Sequence, residues 1–291
     1  MKLRSLFQSN QSLAEVSTFS IGGNARLFAS ISTIEEMQDA LRYAFEEKLP
    51  VFILGKGSNS LFDDRGFDGL VLQNKISYLS IEDTIVDVGA GYSFSMLGLK
   101  TAKSGLAGLE FASGIPASVG GAIFMNAGAN GSETADHLVE VSFVDEKGEL
   151  HIFHKEQMTF SYRHSSFQGQ KGAIVSAKFS LTPSEQAREK QFAIIEYRKR
   201  TQPYSDPSAG CIFRNPQGYS AGTLIEKSGL KGFSIGGAEV STLHANFIVN
   251  RGGATAANVL DLVEEVKRRV LEATGVKLEM EVRCIPYQME P

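Results

Sequence analysis

The chain has 291 residues, 42% of them hydrophobic, enough for one large domain or two to three smaller ones. A net charge of -4 and a pI near 5.8 argue against nucleic acid or an anionic membrane as the main partner, so any anionic ligand must be held by local groups. Residues 1–10 carry no sustained apolar stretch, no run approaches the roughly 18 apolar residues of a membrane span, and Cys211 and Cys284 form no CxxC pair. Neither a disulfide framework nor a zinc ribbon is indicated, and the chain reads as a cytoplasmic globular protein.

In chain order, Ser17 to Asn24, with Gly22 and Gly23, reads as a turn before a strand near Ala25 to Ser30. Ser32 and Glu35 have capping-box spacing, and Ile34, Met37, Leu41 and Ala44/Phe45 follow at helical period, which predicts a helix to about Lys48. Leu49 to Leu54 is a short apolar strand that ends abruptly in Gly55-Lys56-Gly57-Ser58-Asn59-Ser60. Two glycines one residue apart allow positive φ and close approach, so consecutive N–H groups can converge on an anion, with Ser58 and Asn59 adding side-chain donors. An ordinary strand-ending turn explains the same residues. Neither a Walker A loop nor a dinucleotide GxGxxG is present. With Leu70-Val71-Leu72 as the next strand, the pattern is β-α-β, with its ligand loop at a strand's carboxyl end.

From Ile76 the texture alternates: Ile81, Ile85, Val86 and Val88 mark strands ending at Gly89-Ala90-Gly91, and Ser93 to Ser104 reads as a helix closed by Gly105. Phe111 to Ala122 and Asn126 to Gly131 then consist almost wholly of tiny side chains. Such a stretch packs badly as a strand and carries much glycine for a helix. It is either a tight helix crossing or a wall that lets backbone touch a flat ring system and a second phosphate. Strands return at Val139 to Asp145, Leu150 to His154 and Ala173 to Leu181. A charged helix spans roughly Ser184 to Lys199, and helices near Ser220 to Ser228 and Thr255 to Thr274 follow, the last with Val259, Val263, Val266 and Val270 on one face and Gly275 at its end. The composition break near residue 200 is the clearest boundary.

No metal site is expected, since His151 and His154 are three apart on a predicted strand and face opposite ways. A Ser-His-Asp hydrolase lacks its GxSxG. Arg163, Cys211 and Glu281 stand out by their loops and strand, yet each has a plain reading as a solvated arginine, a buried small hydrophobe and a surface glutamate.

Taken together, Gly55-Lys56-Gly57-Ser58-Asn59, Ser113-Gly114-Ile115-Pro116 with Gly120-Gly121, Tyr162-Arg163, Gly210-Cys211 with Asn215-Pro216, and Glu281-Val282-Arg283 resemble, in this order, the UDP-N-acetylenolpyruvoylglucosamine reductase family of peptidoglycan precursor synthesis. The likeness runs from Thr18 to Arg283, and the spacing of about fifty residues between Arg163 and Cys211 resembles the shorter, type II form. The resemblance implies a mixed α/β and α+β fold. A vanillyl-alcohol-oxidase-like (PCMH-type) FAD-binding unit of two subdomains, 1–75 and 76–183, would precede an α+β substrate-binding domain at 184–291, whose last strand returns to the first subdomain. It implies non-covalent FAD, NADPH as co-substrate, a UDP-sugar substrate, and a monomer without nucleic-acid or membrane partners.

By the same resemblance, Gly55, Lys56, Gly57, Ser58, Asn59, Ser113, Gly114, Ile115, Val119, Gly120, Ala122, Asn126 and Gly128 bind FAD. Tyr162, Asn215, Lys231 and His244 bind substrate, a core histidine being an equal reading for His244. Arg163 and Glu281 stabilise the substrate carboxylate as charge develops, and Cys211, where family members more often carry serine, gives a proton to carbon. Another FAD oxidoreductase of the same superfamily and a non-catalytic flavin- or nucleotide-binding regulator are the alternatives.

Overall fold

The computed structural model describes residues 6–288. The chain divides into two compact units whose limits fall at other places than residues 75 and 183. The first contains Leu27–Lys56 and Gly69–Arg198 with the described residues through Ser9, and the second Asn10–Arg26, Gly57–Asp68 and the chain from Lys199 on.

The chain opens with β1 (Gln8–Ser12), β2 (Asn24–Ile31), α1 (Ile34–Glu46), β3 (Val51–Leu54), β4 (Ser60–Phe62) and β5 (Phe67–Asn74), and β1, β2, β5 and β3 lie side by side in that order. Helix α1 starts one residue later than its spacing predicts: Thr33 and Glu36, not Ser32 and Glu35, make the reciprocal cap, with Thr33 Oγ1 accepting from Glu36 N at 3.1 Å. The later start keeps Met37, Ala40, Leu41 and Ala44 on one buried face while Phe45 turns to solvent. Strand β3 pairs in parallel with β5, Val51 opposite Leu70, so the glycine turn does leave the carboxyl end of a parallel strand.

Farther along, β6 (Leu79–Glu82) and β7 (Ile85–Gly89) join Gly172–Ser180, Leu138–Asp145 and Leu150–His154 in a five-stranded antiparallel sheet. Helices α2 (Phe94–Lys103) and α3 (Val119–Phe124) are capped by Ser93 and Ser118. Glycine inside α3 costs about 1 kcal/mol against alanine. Here it permits close packing, because a Cβ at Gly120 would lie 3.0 Å from Ala90 Cβ. Around Gly120 the small-residue stretch is therefore a tight crossing of helix on strand end. This unit has two apolar clusters, one built on residues 29–76 with Val144, Ala173 and Val175, the other on residues 86–181.

The charged helix is α4 (Ala187–Thr201), three residues late at its start because Thr182–Pro183 still pairs with Leu106–Ala107 and Ser184 N is donated to Gly105 O. In the second unit a four-stranded antiparallel sheet runs Ser208–Cys211, Phe247–Asn250, Ala238–Val240, Ser234–Ile235, against α5 (Ala221–Lys227) and α6 (Ala256–Thr274). Gly275 at φ +71 ends α6, as its sequence predicts. The last strand, Arg283–Ile285, pairs in parallel with β4, Arg283 opposite Ser60. No helix among the described residues is long and apolar enough to cross a membrane.

Candidate active site

The glycine turn is shaped by what lies against it. In the first unit, a Cβ on Gly55 would overlap Ser118 Oγ, the cap of α3, so a side chain here would displace that cap. Lys56 Nζ donates to Ser93 Oγ, the cap of α2, at 2.9 Å. Burial pulls the Lys56 ammonium below its usual range, and the charge of Lys75 pushes the same way. An anion bound here would offset both effects.

In the second unit, Gly57 sits at φ +64, and a Cβ would come 2.8 Å from Ser17 Cα. Thr18 Oγ1 lies 3.4 Å from Gly57 O and 2.7 Å from Ser208 O, which ties the turn to the Cys211 strand. Ser17 Oγ, beside Gly57, and Ser113 Oγ, in the first unit, are buried hydroxyls without a hydrogen-bond partner. Ser17, Thr18, Ser93 and Ser118 were not singled out from sequence. Only the two helix caps left a signal, a serine just before each apolar helical run.

The other flavin candidates of the first unit are less open than expected. Val119 N, Gly120 N and Ala122 N are donated to Tyr92 O, Ala90 O and Ser118 O, and the Val119 and Ala122 side chains lie in the core. What Val119, Gly120 and Ala122 offer a ring system is small size, not N–H donors. Gly114 N is 2.7 Å from Ser95 Oγ, and Ile115 N is donated to Ala112 O. Asn126 is buried, with Nδ2 on Ser161 O at 3.0 Å and Oδ1 accepting from Ala135 N at 3.1 Å. It anchors the turn that carries Arg163. Gly128 packs against Glu133 in a short hairpin.

Tyr162 and Arg163 form the two-residue turn between Phe160–Ser161 and His164–Ser165. Arg163 occupies φ +57, a conformation glycine adopts without cost, and its guanidinium lies 4.9 Å from the Tyr162 ring centroid. Gln168 Nε2, which bonds Phe124 O at 2.9 Å, also holds Arg163 O at 3.1 Å.

Cys211 and Glu281 both lie in the second unit and are linked through Ile212. Cys211 ends its strand opposite Phe247, just past a register break at Gly210, whose φ is +78. Glu281 N donates to Ile212 O at 2.7 Å, and Asn59 of the glycine turn reaches Glu281 O with its Nδ2 at 3.4 Å. Ser58 O is the nearest neighbour of a Cβ placed on Gly210. Residues 57–59, the Cys211 strand and Glu281, far apart in the chain, are thus brought together within this unit.

Among the substrate candidates, Asn215 Oδ1 accepts from Ala221 N at 3.0 Å. Lys231 is paired with Glu226 at 2.7 Å, so its charge is not the isolated one its loop suggests. His244 stands edge-on to Phe247 and accepts the Asn246 N–H on Nδ1 at 3.3 Å. Burial holds His244 below its usual 6.5, with Lys231 acting in the same direction and Glu226 against it. A folded-state value below the unfolded one gives stability that is complete above 6.5 and lost as pH falls through the folded value. Thermal melts between about pH 7 and about pH 5 should therefore show a steeper decline for the protein than for His244→Gln.

Asp145, Glu149 and His151 bring ligand-type atoms within 4.8 Å of one another, a grouping that histidine spacing alone did not reveal. Asp145 already accepts the N–H groups of Lys147 and Glu149 and contacts His151 Nε2, so the trio closes a hairpin turn.

Two family models match the chain, an FAD binding domain over residues 25–154 and the C-terminal domain of UDP-N-acetylenolpyruvoylglucosamine reductase over residues 202–285. UDP-N-acetylenolpyruvoylglucosamine reductase of Protochlamydia amoebophila is 56% identical over 290 residues, 99% of this chain and 97% of that protein. The chain belongs to the UDP-N-acetylenolpyruvoylglucosamine reductase family. The Chlamydia muridarum reductase is 48% identical over 97% of this chain and 95% of its own length. The crystal structure of the Thermus caldophilus reductase superposes with a TM-score of 0.82 at 37% identity, covering 96% of this chain and 98% of that one. The FAD-binding architecture with a C-terminal domain expected from the motifs is thereby established.

Proposed function

We propose that this protein reduces the enolpyruvyl ether of UDP-N-acetylglucosamine to UDP-N-acetylmuramate with NADPH as co-substrate. FAD, when bound, relays hydride from NADPH to the enolpyruvyl double bond. The observation that carries the reading is the junction of residues 57–59 with the Cys211 strand and Glu281 in one unit of a family member matched along nearly its whole length.

The residues present fit a flavin. A side chain at Gly55 would displace the Ser118 cap, Lys56 carries a charge that an anion would relieve, and Ser17 and Ser113 hold buried hydroxyls without partners. In the first unit Gly55, Lys56, Ser113, Gly114, Ile115, Val119, Gly120, Ala122 and Gly128 are assigned to FAD, with Asn126 in support. In the second, Gly57, Ser58 and Asn59 are. No His or Cys lies in the turn, which favours non-covalent binding. The first unit's two apolar clusters support its reading as two FAD-binding subdomains.

Tyr162, Asn215, Lys231 and His244 are assigned to the UDP-sugar. Hydride addition at the terminal carbon leaves negative charge on the adjacent carbon and its carboxylate. Arg163 offers that carboxylate a planar pair of donors. Glu281 in its protonated form donates a hydrogen bond to the same oxygens, and Cys211 Sγ delivers a proton to carbon. A monomer acting in the cytoplasm, where nucleotide precursors are made, completes the proposal.

An anaerobic visible spectrum tests the whole. Flavin bands should bleach on adding NADPH and return on adding the enolpyruvyl UDP-sugar. Bleaching without recovery would point to another flavin oxidoreductase, and protein that stays colourless after reconstitution with FAD would end the proposal.

A further inference from the structure

Asn246 is 3% exposed, and its side-chain amide is used at both ends: Oδ1 accepts from Phe213 N at 3.0 Å and Nδ2 donates to Phe213 O at 2.8 Å. Its main-chain oxygen accepts from Ile212 N at 2.8 Å. One residue therefore makes three bonds to the two residues that directly follow Cys211. The regular ladder ends at Cys211 opposite Phe247, so the Asn246 amide extends the pairing where no strand remains to do so. The other edge of the same segment is held by Glu279 and Glu281, through Arg214 N on Glu279 O at 2.9 Å and Glu281 N on Ile212 O at 2.7 Å. The Asn246 main-chain N–H ends on His244 Nδ1, which links this clamp to the Lys231 and Glu226 side of the unit.

We propose that Asn246 is a positioning residue for the reaction, fixing the register and height of the Cys211 thiol against Glu281. A buried amide bonded at both ends specifies one strand placement, whereas a slip of one residue would turn Cys211 to the opposite face. The proposal rests on the assignment of Cys211 as proton donor. Asn246→Asp is the informative change: it keeps an acceptor for Phe213 N but sets an oxygen against Phe213 O. Asn246→Ala removes both bonds.

Both variants are made in a Cys284→Ser background, which leaves Cys211 as the one thiol, and the two half-reactions are followed separately by rapid mixing. Reduction of the bound FAD by NADPH should keep the parent rate. Reoxidation by the enolpyruvyl UDP-sugar should slow by about 10–10²-fold, the scale of a reacting group displaced by about an ångström. The rate of Cys211 alkylation by iodoacetamide should shift from the parent's as well. Parent-like reoxidation and alkylation in Asn246→Asp would overturn the proposal, as would a parallel fall of both half-reactions in proportion to the folded fraction. Failure of the parent itself to be reoxidised would count against the functional reading, while the alkylation comparison would still decide the role of Asn246.

Discussion

Cys211→Ala is expected to slow reoxidation of the reduced flavin by substrate by about 10²–10⁴-fold, the usual contribution of a positioned general acid. NADPH reduction should be untouched, and Cys211→Ser should retain most of the substrate half-reaction. The thiol is half-buried at a strand end whose next residue, Ile212, is bonded to Asn246 on one edge and to Glu281 on the other. That fixes the backbone from which the Cys211 side chain projects. A thiol, with a pKa of about 8.5 when unperturbed, gives up its proton far more readily than an alcohol. Serine in its place must rely on position alone, so a modest loss in Cys211→Ser beside a large one in Cys211→Ala separates placement from acidity. The thiol is also oxidisable where the hydroxyl is not, so peroxide should inactivate the protein and spare Cys211→Ser. Equal reoxidation rates for Cys211→Ala and the parent in rapid mixing would remove Cys211 from the mechanism.

The parts of the fold that were legible in the sequence are those governed by local rules. Helices α1 and α6 follow from apolar period and caps, with errors of a residue or so where Ser32-Thr33 and Glu35-Glu36 offer two overlapping capping boxes. The alternating strands of the five-stranded sheet were visible for the same reason. The antiparallel sheet of the second unit was not, because its strands run to 4 residues at most and one is broken in register at Gly210. Nor does any local signal say that 10–26 and 57–68 pack with the C-terminal chain. That arrangement depends on contacts such as the β4 pairing with Arg283–Ile285, made across more than half the chain.

The candidate site shows the same division. Gly55 and Gly57 announce a close backbone approach, but nothing local names Ser118 and Ser17 as the groups approached. Cys211 and Glu281 are singled out only by family resemblance, since a lone cysteine and a lone glutamate carry no pattern of their own, and Glu281 lies two residues before the last strand rather than within a strand as its sequence suggests. Asn246 escaped notice because its partners lie 33 residues away and an asparagine side chain pairing like a strand looks in sequence like any loop residue.

Arg163→Gly should separate function from stability more cleanly than truncation to alanine. At φ +57 an arginine stores about 1–2 kcal/mol of backbone strain that glycine would release. Against this stand about 0.4–1 kcal/mol of extra unfolded-state entropy and a cation–π contact with Tyr162 worth about 0.5–1 kcal/mol. These effects nearly cancel, so the melting temperature should barely move and FAD should stay bound. Reoxidation by substrate should nevertheless fall by about 10²–10³-fold, as when a donor to developing negative charge is lost. Arg163→Lys should recover only part of that loss, because an ammonium on a flexible stem supplies charge without the planar fork. A glycine here would suit the hairpin better than the residue present, so the strained arginine is itself the argument for a role in chemistry. Arg163→Gly that melts well below the parent would instead make it a structural residue, and Arg163→Gly that turns over at the parent rate would leave the substrate carboxylate to other groups.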